Sequence, residues 1–250
     1  MPKPLRLGVL VPSSNTALEP ITQALVFSLP LSANFPQVTV HFSRFPVTAI
    51  SLSAANLSQF EQSRIIASAQ LLAHAEVDII GWSGTSAGWL GFNADEKLCE
   101  AITAATGVPA TTSVLALNKA LRLFGAKRLG LVTPYVDDVQ EAIMRNYASI
   151  GIEMTPATER HLCITKNTDI ALIDSKTLDG MVADVVKGGA EVVTTFCTNL
   201  NHAAQRAELW EETHGVPVLD TTTIVIWDML RTCWYSVQDV REWGSVFQRS

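Results

Sequence analysis

Cys197 is the residue of this chain that is best suited to acid/base chemistry. It ends a run of mostly β-branched and apolar residues, EVVTTFC (191–197), and the polar residues Thr198 and Asn199 follow it directly. This pattern predicts a buried parallel strand that runs out into a loop. Because ligands of open α/β sheets bind outside the carboxyl ends of the strands, we expect the thiol where a reacting group would lie.

A second stretch, VDIIGWSGTS (77–86), has the same pattern as the first. Aligning the two places Gly84 against Cys197 and Thr85 against Thr198. One strand end therefore carries a thiol, and its counterpart carries no side chain. A free thiol has a pKa of about 8.5, so it is mostly protonated at neutral pH and is able to deliver a proton to one face of a substrate.

Small hydrogen-bonding side chains accompany these strand ends. Neutral donors, together with backbone N–H groups at helix N-termini, suit an anion such as a carboxylate or the enediolate formed from one. The chain has no P-loop and no GxGxxG motif, so we predict no nucleotide cofactor, and its five histidines do not fall at metal-ligand spacings. The candidate residues are Ser13, Ser14, Asn15, Gly84, Thr85, Ser86, Tyr135, Cys197, Thr198 and Asn199.

Structural alternatives exist for several of these residues. A lone cysteine at a strand end is commonly a small core residue. Ser13, Ser14 and Asn15 also suit the N-cap of a following helix. Tyr135 comes two residues after a predicted strand, where packing alone would explain an aromatic ring.

The composition favours a well-packed α/β enzyme. Of the 250 residues, 48% are hydrophobic and 17% are charged, which argues against disorder. The net charge is −6 with no basic cluster, so nucleic acid is not an expected partner. No apolar run reaches the length of a membrane span, and the short apolar stretch near the N-terminus predicts a strand and not a signal peptide. Four cysteines without a CxxC pair indicate a reduced cytoplasmic protein without structural zinc.

The chain also contains an internal repeat. Three segments of the first half recur in the second half in the same order, which is the signature of a duplication. The two strand ends described above form one of these pairs. The other two pairs are RLGVLVP (6–12) with RLGLVTP (128–134), and GVPATTS (107–113) with GVPVLDTT (215–222).

The repeat predicts an α/β fold of two pseudo-symmetric lobes, each with a mainly parallel sheet flanked by helices. The active site is expected in the cleft between them. We assign residues 1–115 plus 218–250 to lobe 1 and residues 116–217 to lobe 2. Periodicity predicts strands over 6–12, 38–45 and 77–81, and helices over 57–75, 95–106, 114–124 and 224–234.

Several motifs resemble the aspartate/glutamate racemase superfamily, in the branch that holds arylmalonate decarboxylase and maleate cis-trans isomerase. VPSSNT (11–16) resembles the isomerases, whereas GTSAGWLG (84–91), GVPATTS, TPYVDD (133–138) and WGSVF (243–247) resemble the decarboxylase. The resemblance covers nearly the whole chain. It implies two α/β lobes, cysteine acid/base chemistry beside a carboxylate, and no cofactor or metal.

Gly84, the first-lobe counterpart of Cys197, departs from the two-cysteine pattern of the racemases and isomerases. Gly84 stands where those enzymes carry a second cysteine, which is the decarboxylase pattern. The resemblance implies that the hydroxyls of Thr85, Ser86 and Tyr135, with backbone N–H groups near Cys197, hold the carboxylate that stays. Asn15 matches the isomerase pattern, in which that asparagine touches the substrate.

Three hypotheses follow from these residues. The first is a cofactor-independent decarboxylase of a malonate-type small carboxylic acid, with Cys197 as the only proton donor to an enediolate. The second is a maleate-type isomerase in which the Cys197 thiolate adds to the double bond and leaves after rotation. The third is a non-catalytic protein that binds small carboxylates. A single thiol serves only one face of a substrate, whereas cofactor-free racemisation needs an acid/base group on each face.

Overall fold

Two four-stranded sheets form the framework of the computed structural model, which describes residues 3–30, 36–50, 52 and 62–249. Every strand pair in both sheets is parallel. The strands of the first sheet are β1 (Leu5–Pro12), β2 (Val38–Phe45), β3 (Ile79–Trp82) and β4 (Ala110–Thr112), and those of the second are β5 (Leu129–Val132), β6 (Glu159–Arg160), β7 (Val192–Thr195) and β8 (Val218–Asp220).

The two sheets have the same topology. The strand order is β2-β1-β3-β4 in the first sheet and β6-β5-β7-β8 in the second. The repeated RLG segments lie in β1 and β5, and the two strand ends named above lie after β3 and β7. The predicted α/β fold with two duplicated, mainly parallel sheets is therefore confirmed.

Helices cover the sheets and connect their strands. They are α1 (Leu18–Ser28), α2 (Gln62–His74), α3 (Ala87–Leu90), α4 (Phe92–Thr106), α5 (Ser113–Phe124), α6 (Asp137–Ser149), α7 (Asn167–Ile170), α8 (Ser175–Lys187), α9 (Ala207–His214) and α10 (Thr221–Thr232), with 3₁₀ turns at Ala204–Arg206 and Ser245–Gln248. No helix among the described residues is long and apolar enough to cross a membrane.

The predicted elements agree with these bounds within a few residues. The strand over 38–45 matches β2, and the helix over 114–124 begins one residue earlier, at Ser113. The helix predicted over 95–106 begins at Phe92, and the one predicted over 224–234 covers Thr221–Thr232. Residues 57–61 of the helix predicted over 57–75 lie outside the described residues.

The repeated GVP segments end one helix and begin one strand in each half. Gly107 and Gly215 follow α4 and α9 with φ angles of 71° and 70°, in the left-handed region that a helix-ending glycine adopts without strain. Each N–H donates to a carbonyl four residues back at 2.8 Å, in one case that of Thr103 and in the other that of Glu211. The proline two residues later prevents the helix from continuing, and the chain enters β4 or β8.

Helix α10 packs on the first half of the chain. It contacts α5, α1 and β3, and its residues from Thr221 to Leu230 are all buried. The strand before it, β8, pairs with β7 through Val193 with Val218 and Thr195 with Asp220. The second sheet therefore ends at Asp220, three residues after the predicted limit of lobe 2 at residue 217, and the limits of the two lobes stay a prediction. The assignment of the helices to the two lobes stays a prediction.

Candidate active site

Both strand ends line one cavity between the two sheets. The cavity is narrow, with an empty volume of about 330 Å³ that includes the space at its mouth. Among the predicted site residues, those that line it are Asn15, Gly84, Thr85, Ser86, Tyr135, Cys197 and Thr198.

Cys197 is buried two residues beyond β7, and only 3% of its surface is exposed. Burial raises the pKa of the thiol to about 11, because the thiolate loses its hydration. Hydrogen bonds from the Tyr135 hydroxyl and the Asn199 backbone N–H lower the pKa but do not offset burial. The group is therefore a protonated thiol at neutral pH, with two donors ready to stabilise the thiolate once the proton has left.

A pair of hydroxyls from the two halves faces the cavity next to this thiol. The Thr85 Oγ1 and Tyr135 Oη atoms are 2.6 Å apart, and both residues are buried. Burial raises the pKa of Tyr135 well above its ordinary value, so the phenol stays protonated. The Tyr135 ring also packs edge-on against Trp89, with centroids 5.3 Å apart. Because one hydroxyl of the pair donates to the other, the pair has a single O–H left, which donates either to the Cys197 sulfur or to a ligand.

Helix α3 joins the first strand end to the second half of the chain. Thr85 and Ser86 lie in the turn between β3 and this helix. Asn146 of α6 donates its Nδ2 hydrogen to the Gly88 carbonyl at 2.8 Å, and α3 packs along α6. The position of the Thr85 and Ser86 hydroxyls thus depends on both halves.

Asn15 has two roles. Its Oδ1 accepts from the backbone N–H groups of Ala17 and Leu18 at 3.0 and 2.9 Å, which is the cap expected at the start of α1. Its Nδ2 donates to Thr198 Oγ1 at 3.1 Å, and Thr198 in turn donates to the Ser83 carbonyl at 3.3 Å. The capping interaction and the cavity position are therefore compatible.

Ser14 and Asn199 do not line the cavity. Ser14 donates to the Val47 carbonyl and accepts from Asn167 Nδ2 at 2.9 Å. Asn199 accepts at Oδ1 from the Thr16 and Ala17 backbone N–H groups at 3.0 and 3.1 Å, and so holds the start of α1 against the second half. Both side chains support the cavity wall from behind.

Sequence reasoning missed Asn167, which lines the cavity and is 2% exposed. Its segment crosses to the first half, where Ala49 and Lys166 form an isolated antiparallel bridge and Ile50 donates to the Thr165 carbonyl at 3.2 Å. No strand end or repeat in the sequence points to this asparagine. The same crossing brings Val47 and Ile50 to the cavity, where Pro12, Trp82 and Trp89 complete the apolar part of the wall.

Gly84 lines the cavity, and the indole of Trp82 lies where a side chain of Gly84 would be. A Cβ on Gly84 would be 2.1 Å from Cζ2 and 2.4 Å from Cε2 of that ring, which is closer than real contacts. Trp82 is 1% exposed and packs on Phe45, with ring centroids 4.9 Å apart. The indole therefore occupies the space in which a first-lobe thiol would begin.

A cluster of possible metal ligands lies outside the cavity. Asp137, His161 and Cys163 place one ligand atom each within 4.8 Å of one another. His161 already pairs with Asp137 at 2.7 Å and with Glu159 at 2.9 Å, and the Asp137 side chain is 79% exposed. None of the three lines the cavity, so this surface cluster is separate from the thiol.

Comparisons with known proteins agree with this geometry. The model of the arylmalonate decarboxylase family matches residues 32–243. The chain is 28% identical to maleate isomerase of Pseudomonas putida KT2440 over 233 residues, 90% of each protein. It is 29% identical to arylmalonate decarboxylase of Bordetella bronchiseptica over 178 residues, 70% of this chain and 72% of that protein. A crystal structure of the maleate isomerase Iso of Pseudomonas putida S16 with maleate superimposes with a TM-score of 0.87 at 25% identity, covering 99% of both chains.

Proposed function

The chain belongs to the arylmalonate decarboxylase family, as its motifs predicted, and from this premise we propose that it is a cofactor- and metal-independent decarboxylase of a malonate-type small carboxylic acid. The observation that carries the proposal is the asymmetry of the cavity. Cys197 supplies a buried, protonated thiol, whereas Gly84 and the ring of Trp82 occupy the matching position. One acid on one face suffices for decarboxylation and does not suffice for cofactor-free racemisation.

The proposed reaction begins with cleavage of the bond between the α-carbon and one carboxylate. Carbon dioxide leaves, and the electron pair of the broken bond moves into the remaining carboxylate to give an enediolate. The Ser86 hydroxyl and the one O–H that the Thr85–Tyr135 pair has left donate to its oxygens. Such preorganised donors stabilise the transition state because charge builds up on these oxygens as the bond breaks.

Protonation of the α-carbon completes the turnover. The Cys197 S–H donates its proton to the carbon and becomes a thiolate, which accepts hydrogen bonds from Tyr135 and from the Asn199 backbone N–H. Solvent then returns a proton to the sulfur. A thiol that stays protonated at neutral pH suits this step, because it enters each turnover as the acid.

A maleate-type isomerase is the second candidate. Two observations favour it: Asn15 lines the cavity, and the similarity to maleate isomerases extends over 90% of the chain. This reaction would need the Cys197 thiolate as a nucleophile. The raised thiol pKa opposes that role at neutral pH and leads us to rank it second.

The test is to incubate the purified protein with phenylmalonate and, separately, with maleate, and to follow both by NMR. We expect phenylacetate and carbon dioxide from the first, and no reaction in a Cys197→Ala control. Fumarate from maleate, with phenylmalonate unchanged, would replace the decarboxylase by the isomerase. Saturable binding of small acids without turnover of any would support a carboxylate-binding protein and contradict both reactions.

A further inference from the structure

Trp82 places an unused hydrogen-bond donor beside the cavity. The residue ends β3, is 1% exposed and lines the cavity two residues before Gly84. Its Nε1 atom is buried and has no hydrogen-bond partner in the described part of the chain. Indole N–H is a donor only, and buried polar groups of native proteins are paired in the large majority of cases. Because Trp82 also lines the cavity, this unpaired donor lies beside a space in which a ligand can supply the partner.

The position of the ring indicates where that partner lies. Nε1 is bonded to Cε2, and Cε2 is one of the two ring atoms closest to the place where a Cβ of Gly84 would be, at 2.4 Å. Gly84 has no side chain to cover the ring edge, and it lines the cavity together with Trp82. Phe45 packs on the ring, with centroids 4.9 Å apart, and supplies no acceptor. A bound molecule in the cavity is the partner that remains.

The equivalent position in the second half shows that the fold does not require this donor. Trp82 pairs with Leu10 of β1 as Thr195 pairs with Val132 of β5. The Thr195 hydroxyl donates to Asp220 at 2.7 Å and is thereby satisfied within the protein. Only the first half carries an indole here.

We infer that the Trp82 Nε1–H binds the second carboxylate of the substrate, so that this cavity selects dicarboxylates over monocarboxylates. The inference rests on the proposed function for the first carboxylate, which Thr85, Ser86 and Tyr135 hold. A second acid group then projects toward Gly84, where the wall is otherwise apolar. Malonate-type and maleate-type acids both carry this group, so the inference concerns the ligand and not the choice of reaction.

Calorimetry on the Cys197→Ser protein tests the inference without interference from turnover. The probes are phenylmalonate and 2-phenylpropionate, in which a methyl group replaces one carboxylate. In Cys197→Ser we expect the diacid to bind at least about tenfold more tightly, the effect of one hydrogen bond to a charged group. Adding Trp82→Phe keeps a ring and removes the N–H, so diacid affinity should fall about tenfold while monoacid affinity stays within about twofold.

Trp227→Phe is the matched control. The Trp227 Nε1 atom is also buried without a partner, but this residue lies in α10 and does not line the cavity. Its replacement should leave both affinities unchanged. Equal loss for the two probes in Trp82→Phe would mean that Trp82 only packs, and would overturn the inference. Failure of the diacid to bind at all would overturn it as well.

A spectroscopic measurement observes the donor directly. In protein labelled with ¹⁵N-tryptophan, Trp82→Phe identifies the Trp82 indole signal by its disappearance. Phenylmalonate should move this signal downfield, and 2-phenylpropionate should not. A diacid-dependent shift together with no turnover of any diacid would retain the inference and reject the decarboxylase. Failure of the inference and failure of the proposed function are therefore distinguishable. An unchanged signal on saturation with the diacid would reject the inference itself.

Discussion

The ends of β3 and β7 are equivalent in backbone and opposite in chemistry. Each strand pairs with the first strand of its sheet in the same register, and each turns into the cavity two residues later. The first end carries Trp82 followed by Gly84, and the second carries Thr195 followed by Cys197. Thr195 is small and bonded to Asp220, which leaves room for the thiol, whereas the indole fills the corresponding room beside Gly84. The end with an acid and the end without one thus differ at the last residue of the strand and at the second residue after it.

The largest expected effect comes from removing the thiol. Cys197→Ala should lower kcat by about 10³-fold or more, because general acid catalysis typically contributes 10²–10⁴-fold and no second thiol lines the described cavity. Binding of phenylmalonate should persist, since the hydroxyls remain. Cys163→Ala is the control, because that cysteine is exposed and outside the cavity. Normal turnover by Cys197→Ala would end the single-acid mechanism.

The second largest effect is expected from removing the hydroxyls that face the cavity. Thr85→Ala, Ser86→Ala and Tyr135→Phe should each raise the barrier by about 2–4 kcal/mol, the scale of an oxyanion donor, measured as kcat/KM on phenylmalonate. Thr198 occupies the position of Thr85 in the other half, but its hydroxyl already accepts from Asn15 and donates to the Ser83 carbonyl. Thr198→Ala should therefore cost about tenfold or less. An equal loss of kcat/KM in Thr85→Ala and Thr198→Ala would contradict the assignment of the donor role to Thr85 and not to Thr198.

Replacing Trp82 and Gly84 by the residues at the equivalent positions of the second half should add an acid on the other face of the substrate. Gly84→Cys alone would collide with the Trp82 ring, so we expect little new activity. Combining it with Trp82→Thr should give at least about tenfold faster racemisation of 2-phenylpropionate than either single variant. The readout is chiral chromatography together with uptake of deuterium at the α-carbon. Rapid racemisation by Gly84→Cys alone would show that the indole moves aside freely.

The same pair of positions predicts the handedness of the product. With Cys197 as the only acid, methyl(phenyl)malonate should give one enantiomer of 2-phenylpropionate. The triple variant Trp82→Thr, Gly84→Cys and Cys197→Ser should give mainly the opposite one. A racemic product from the unmodified protein would contradict delivery of the proton from one face.

The smallest expected effect is a pH dependence of stability from two buried carboxyl groups. Burial raises the pKa of Asp95 to about 7 and that of Asp220 to about 6, both above the ordinary value of 3.8. Between about pH 4 and pH 7 the folded state therefore binds more protons than the unfolded state. The free energy of unfolding falls as the pH rises through this range.

Urea unfolding of Asp95→Asn at pH 5 and pH 8 measures the larger contribution. This variant should lose about 2–3 kcal/mol less than the unmodified protein between the two pH values, because Asn does not ionise. Asp220→Asn should show a smaller effect, since the ionised Asp220 accepts backbone N–H groups of Thr222 and Thr223 at the start of α10. Identical pH profiles for all three proteins would mean that neither carboxyl group titrates in this range.

The sequence by itself determined the duplication, several of the helices and strands, and part of the cavity wall. These features depend on short-range order: alternation of buried residues, a glycine after a helix, and polar residues directly after a strand. Within one parallel sheet such strand ends lie at one edge, and the repeat predicted that the edges of the two sheets face one cleft, so Cys197, Thr85, Ser86 and Tyr135 could be grouped without coordinates. The family motifs added Asn15 and the meaning of glycine at position 84.

Only the tertiary structure decided which side chains close the cavity. Asn167 and Ile50 meet there because two segments more than a hundred residues apart cross between the halves. Asn199 turned out to hold the start of α1 instead of lining the cavity. The Trp82 ring that lies against Gly84 also packs on Phe45, which comes from a strand distant in sequence. No local pattern encodes such contacts, because they arise when distant segments compete for the same enclosed volume.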